Sequence, residues 1–270
     1  MAKKIALIAG TGLLPIEACK SFLAQKNHFL VIVLFPEENA QIIKTAVPDN
    51  VEIIESTFTK AGAILNTLIE KNVTDVLFIG KVDKRNLLKR VKLDWLAIKL
   101  LAKLAYKSDK SIMESILNEL GKHNIKVLKQ YDVLTNLLVN PGVLCGKLSA
   151  KMKEEIDYGM MVVEHISKCD IGQTVVLKDK MVLAVEAIEG TDNCIDRGIE
   201  IGKENVIICK GATSTQNKKY DLPTLGPTSI EKIERGQVAA IAWKSTHTFI
   251  AQKDLFVEMA KERGITLISV

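Results

Sequence analysis

Between Ile5 and Leu128 the chain alternates short aliphatic runs with longer amphipathic stretches, and this rhythm restricts the fold more than any other feature. Ile5–Ala9, Leu30–Leu34, Val51–Ile54, Asp75–Ile79 and Ile125–Leu128 read as strands, with helical spacing over 15–26, 59–71, 86–107 and 110–122. Runs this uniformly apolar are buried on both faces, which calls for a parallel sheet covered by helices. The expectation is an α/β fold: a Rossmann-like parallel sheet with helices on both faces. Turn chemistry at Asn140-Pro141-Gly142 ends the rhythm, so the first domain is placed at 1–132 and a second α/β domain at 133–270. The 270 residues suffice for two such cores.

The second block opens with a helical stretch at 151–169. Strands are expected at Thr174–Leu177, Val182–Ala187, Val206–Lys210, Val238–Trp243 and Ile265–Val270. Thr191 is placed to cap a helix that stops at Gly202, and Thr228 to Glu231 has the T-x-x-E form of a helix start. Gly236 and Gly264 sit where left-handed helix ends belong.

Lys and Arg number 37 against 32 Asp and Glu, a formal +5, which is milder than a dedicated nucleic-acid binder shows, and no nucleic-acid partner is expected. The charge is concentrated at 84–110, with nine Lys or Arg. There Leu93, Leu96, Ala97, Leu100, Leu101 and Leu104 repeat at helical spacing while Lys92, Lys99, Lys103 and Lys107 share another face. Trp95 and Tyr106 flank that surface. Two readings stand: a helix packed on the sheet with a solvated lysine face, or one in peripheral contact with an anionic membrane. No stretch reaches the ~18 apolar residues of a membrane span. Five cysteines without C-x-x-C spacing read as reduced, buried thiols of a cytoplasmic protein. Lys3-Lys4 followed by Ile5–Leu14 imitates a leader, but Gly10 and Gly12 interrupt it, and it reads as a first strand.

Three places carry chemistry. Gly10-Thr11-Gly12-Leu13-Leu14-Pro15 follows the first strand as half of a phosphate-binding fingerprint, with Pro15 replacing the third small residue. Glu37 and Glu38 stand where a ribose-binding acid would follow, or form a solvated turn. In the second block Glu186, Glu189, Thr191 and Asp192 converge on one strand-to-helix turn. Such carboxylates can hold Mg²⁺, or they can serve as helix caps and pair partners. Asp221, in a long polar stretch beside Lys218 and Lys219, is kept ionised and suits metal binding or proton abstraction from water. An exposed Asp beginning a turn is the plainer alternative. Scattered histidines without metal-ligand spacing argue against zinc hydrolase chemistry, and no G-x-S-x-G elbow is present.

Leu7-Ile8-Ala9-Gly10-Thr11-Gly12-Leu13-Leu14-Pro15, Ile79-Gly80-Lys81-Val82, Asp170-Ile171-Gly172-Gln173, Val185-Glu186-Ala187-Ile188-Glu189-Gly190-Thr191-Asp192 and Asp221-Leu222-Pro223-Thr224-Leu225-Gly226 together resemble the LpxI-type UDP-2,3-diacylglucosamine hydrolases. The resemblance implies a cytoplasmic, membrane-associated enzyme of Gram-negative lipid A biosynthesis. It would cleave the pyrophosphate of UDP-2,3-diacylglucosamine with Mg²⁺ into lipid X and UMP, with water attacking the sugar-side phosphorus. It implies a catalytic role for Asp221, metal roles for Asp221, Asp192 and Glu189, and substrate roles for Gly10, Gly12, Leu14, Lys81, Gln173, Thr191, Gln216, Lys219 and Thr224. An anionic inner-membrane surface and a homodimer are the implied partners. Two stretches depart from the family: Ser108-Asp109-Lys110 replaces G-D-D, and Thr213 to Lys219 replaces K-P-G-Q-D-x-R, putting Asn217 where the family carries an acid. A nicotinamide-dependent oxidoreductase and a non-catalytic nucleotide-lipid binding protein are the competing functions.

Overall fold

The computed structural model describes residues 3–82, 94–102, 109–211 and 222–270, with the backbone alone described at 100–102 and 109–112. Two compact units result, one up to Leu134 and one from Thr135.

In the first unit β1 (Lys4–Ala9), β2 (His28–Val33), β3 (Ile53–Glu55), β4 (Asp75–Ile79) and β5 (Lys126–Val127) form one sheet in the order β3-β2-β1-β4-β5. Every neighbouring pair is parallel. The helices are α1 (Leu14–Ala24), α2 (Pro36–Ala46), α3 (Ala61–Glu70), α4 (Trp95–Ala102), α5 (Asp109–Lys122) and the short α6 (Gln130–Val133). Alternation along β1 divides the core: Ala6 and Ile8 pack with Leu68 of α3 and Leu120 of α5, whereas Ile5, Leu7 and Ala9 point to the opposite face. α1 packs on β1 and β4, burying Ala18, Cys19 and Phe22. Of the expected helix over 86–107, Trp95–Ala102 is helical as α4; positions 83–93 and 103–108 lie outside the described residues.

α2 departs from the sequence reading. Pro36 occupies its first turn with Glu37 and Glu38, so these acids complement the positive helix start instead of forming a solvated turn.

The second unit holds β6 (Gly142–Cys145), α7 (Ala150–Lys168), β7 (Thr174–Lys178), β8 (Met181–Val185), α8 (Thr191–Gly202), β9 (Val206–Lys210), β10 (Thr224–Leu225), β11 (Val238–Trp243), β12 (Phe249–Ile250), α9 (Lys253–Arg263) and β13 (Thr266–Ser269). Six strands make a mixed sheet in the order β6-β13-β11-β9-β7-β8, its three central strands parallel; β10 and β12 form a separate parallel pair. Val175, Leu177 and Cys209 face α7, while Val176 and Ile208 face Cys194 and Ile195 of α8 and Phe256 of α9. Gly159 and Gly198 let α7 and α8 come close: a Cβ on either would stand 2.5 Å from Cys209 Sγ or from Val176 respectively.

Two helix signals resolve differently from expectation. Thr228 lies in a short 3-10 turn, Pro227–Ser229, with the Ser229 hydroxyl accepting from the Gly226 N–H, because Ile230 and Ile233 are drawn into the core and no helix follows. Gly236 accordingly closes a turn before β11, whereas Gly264 does end α9 with φ +73°.

Candidate functional site

In the first unit the carboxyl ends of β1 and β4 meet through a close backbone crossing. Gly10 N donates to Ile79 O at 2.8 Å, and Thr11 and Lys81 exchange hydrogen bonds of 2.9 and 2.8 Å. A Cβ on Gly10 would meet the Lys81 carbonyl oxygen at 2.5 Å, and one on Gly80 the Gly10 carbonyl carbon at 2.8 Å. The two glycines therefore permit a close loop crossing. Gly12 is different: its φ is +93° and nothing lies within 4 Å of a Cβ there, so its backbone is open to approach. Leu14 opens α1, followed by Pro15, so the start of that helix lies directly beyond the loop. Asn39, 3% exposed, donates to Gly10 O at 2.6 Å and holds the crossing from α2. In the sequence Glu37 and Glu38 stand out as ribose-binding acids or a solvated turn, and no local signal marks Asn39.

In the second unit the polar residues line up across one end of the sheet. Thr174 at the start of β7 is registered against Lys210 at the end of β9, Glu186 N donates to Thr174 O at 2.9 Å, and Gly211 N donates to Gln173 O at 3.0 Å. Gln173, Thr174, Glu186 and Lys210 thus form a row over β8, β7 and β9, with the start of α8 above it. The row is closed by Gly172, whose Cβ would lie 2.0 Å from the Glu186 carbonyl oxygen.

Thr191 joins the row, though not as a cap. Gly190, φ +83°, precedes the helix, and Thr191 is its first residue. Its hydroxyl accepts from Lys210 Nζ at 2.7 Å and donates to Glu186 Oε1 at 2.9 Å, while Glu186 Oε2 accepts from Gln173 N at 3.3 Å. Lys210, 4% exposed, also donates to Thr174 Oγ1 at 3.2 Å. Sequence reasoning missed Lys210, because a lysine after Val206-Ile207-Ile208-Cys209 reads as a solvated strand end. Cys194, beneath this turn, is inert: burial pushes its thiol up to about 12.

The carboxylates do not gather. Glu189 Oε1 accepts from Arg197 at 2.7 Å and Oε2 from Ala187 N at 3.1 Å. Its own backbone N–H, then Arg197, hold its carboxyl below the ordinary 4.5. The stability this contributes is present above 4.5 and is lost as pH falls through the lowered value. Asp192 is exposed on the first turn of α8. Among the described residues no three His, Cys, Asp or Glu side chains are grouped to hold a metal ion, and with Glu189 committed to Arg197 they do not fit Mg²⁺ by themselves. Thr224 lies in β10, its hydroxyl directed to Leu222 O at 3.5 Å. Gln216, Lys219 and Asp221 lie outside the described residues.

These sheet ends can be set beside known proteins. The model described as the LpxI N-terminal domain matches residues 4–137, and that of the LpxI C-terminal domain matches 140–268. A relative from Caulobacter vibrioides, named UDP-2,3-diacylglucosamine pyrophosphatase LpxI, is 25% identical over 281 residues, covering 99% of this chain and 98% of its own length. With both domain models matched in order along almost the whole sequence, and the V-E-A-I-E-G-T-D turn folded as the start of α8, the chain belongs to the LpxI family.

Proposed function

We infer that this chain hydrolyses the pyrophosphate bond of UDP-2,3-diacylglucosamine to lipid X and UMP, a step of lipid A biosynthesis. The observation that carries the reading is the consecutive match of both LpxI domains. Incubation of the purified chain with UDP-2,3-diacylglucosamine and Mg²⁺ should release UMP. Binding of the nucleotide-lipid without release would overturn the reading in favour of a binding protein, and binding of a nicotinamide cofactor would favour an oxidoreductase.

The first unit is read as Rossmann-like on its parallel order β3-β2-β1-β4-β5, the half-fold that receives nucleotides at its strand carboxyl ends. Gly12 and the α1 start are its nucleotide-side groups, with Gly10 and Lys81 shaping the loop. In the second unit Gln173 and Thr191 serve the phosphates, as the polar row at the start of α8 supports. Thr224, Gln216 and Lys219 keep substrate roles from the family segments, and Asp221 is the catalytic carboxylate, the base that takes a proton from the attacking water. Mg²⁺ belongs to the reading through the family alone, with Asp221 as the acid to examine for it.

A twin-chain substrate resides in a membrane leaflet, so the enzyme is read as a cytoplasmic protein bound peripherally to the inner membrane. No helix among the described residues is long and apolar enough to cross a membrane. α4 supplies a surface contact: Trp95 is 73% and Ile98 51% exposed, and Lys99 Nζ lies 5.2 Å from the Trp95 ring centroid. An exposed aromatic paired with a cation suits an anionic interface. Trp95→Ser with Ile98→Ser should weaken binding to phosphatidylglycerol-containing vesicles by about tenfold in a sedimentation assay. Unchanged vesicle binding would remove α4 from that role.

A further inference from the structure

Lys210 is a buried charge, 4% exposed, to which the proposed function assigns no role. Taking an ammonium out of water costs several kcal/mol, and an apolar side chain of similar volume would ordinarily serve a strand end at least as well. The hydroxyls of Thr174 and Thr191 satisfy two of its donors, and Thr191 passes a hydrogen bond on to the Glu186 carboxylate.

Its position is unfavourable in a second way. Thr191 is the first residue of α8, where the helix dipole is positive, and a cation is stabilised at the opposite end of a helix. The helix start and the Lys210 ammonium thus stand together at the carboxyl end of β9, with the Glu186 carboxylate linked to both through Thr191. Lys210 offsets that carboxylate, so the positive helix start remains able to receive an anion. Lys210 also ends the strand whose chain continues through Gly211 toward Asp221.

We propose that Lys210 is a positioning residue for the diphosphate of the substrate: through Thr191 it fixes the start of α8 and the Glu186 carboxylate, and it offsets the charge of that carboxylate beside the helix start. The proposal rests on the hydrolase reading. It assigns Lys210 to the phosphates and leaves base and ribose to other groups.

The test compares Lys210→Met, Thr191→Val and Thr191→Ser with the wild-type chain. UDP and uridine affinities are measured by calorimetry, alongside melting temperature and the kcat and KM for lipid X formation. Lys210→Met should lower UDP affinity by roughly tenfold or more while uridine affinity is unchanged. Its melting temperature should stay within about 2 °C of wild type or rise, since an apolar isostere replaces a buried cation. Thr191→Val should shift UDP affinity in the same direction and Thr191→Ser should restore it. If Lys210→Met fails to fold, the Thr191 pair reads the same link.

A folded Lys210→Met with wild-type UDP affinity overturns the proposal. Equal losses for UDP and uridine, or a Thr191→Ser no better than Thr191→Val, overturn it too. Wild-type protein that binds UDP but forms no lipid X overturns the hydrolase reading and leaves the Lys210 comparison intact. Wild-type protein that binds no UDP overturns both.

Discussion

Asp221→Asn is expected to reduce UMP release by about 10³-fold, while folding and UDP binding are retained. The amide matches the carboxylate in size but carries no charge and cannot take a proton from water. The segment that follows Asp221 is held firmly: Leu222 and Leu225 are buried, Pro223 O accepts from Phe249 N at 2.9 Å, and Leu225 O accepts from Ala251 N at 2.9 Å. Asp221 immediately precedes this segment in the sequence. Asn217 supplies the internal control, because the resemblance implies an acid at this position, where the chain has Asn217. Asn217→Asp should leave the rate of the wild-type chain within about threefold and should not rescue Asp221→Asn. Near-normal turnover by Asp221→Asn, with ordinary Mg²⁺ dependence, would remove Asp221 from catalysis.

Gly172→Ala is the second large effect. The added Cβ would lie 2.0 Å from the Glu186 carbonyl oxygen, and that oxygen belongs to backbone, so the clash cannot be relieved by a side-chain rotation. Separation of the two segments would break the Gln173 N to Glu186 contact and loosen Thr191. The expected cost is about 3 kcal/mol, typical of severe overpacking. That corresponds to a fall of about 10 °C in melting temperature for a unit of this size. UDP affinity should fall with it. Gly12→Ala provides the contrast: a Cβ there has open space, so the cost is limited to holding a non-glycine at φ +93°, about 1 kcal/mol. A Gly172→Ala protein that melts with the wild type would show that the two segments are not packed as described.

The strands were legible because strands buried on both faces are written as continuous aliphatic runs. Ile5–Ala9 and Val206–Lys210 appear in the structure much as the sequence marks them. α2 was hidden because Pro36-Glu37-Glu38 is equally good chemistry for a turn and for a helix start; packing of Ala40 and Ile43 decides it. The roles of Gly10 and Gly80 were hidden for a different reason. Each is required by the other's backbone, across a separation no local pattern encodes. Thr191 and Thr228 both carried helix-capping signals, yet tertiary partners claimed the first and core packing cancelled the second. Lys210 was beyond reach: one letter after an apolar run says nothing about whether its ammonium meets water or two threonines. The family segments point to the Val185–Asp192 turn, and the geometry shows which of its side chains touch.

The central claim is cleavage within the pyrophosphate, and hydrolysis in H₂¹⁸O tests it most directly. Mass spectrometry of the products should find UMP and lipid X in equal amounts, with one ¹⁸O in the lipid X phosphate. Release of UDP with an unphosphorylated sugar lipid, or recovery of the substrate intact, would contradict it.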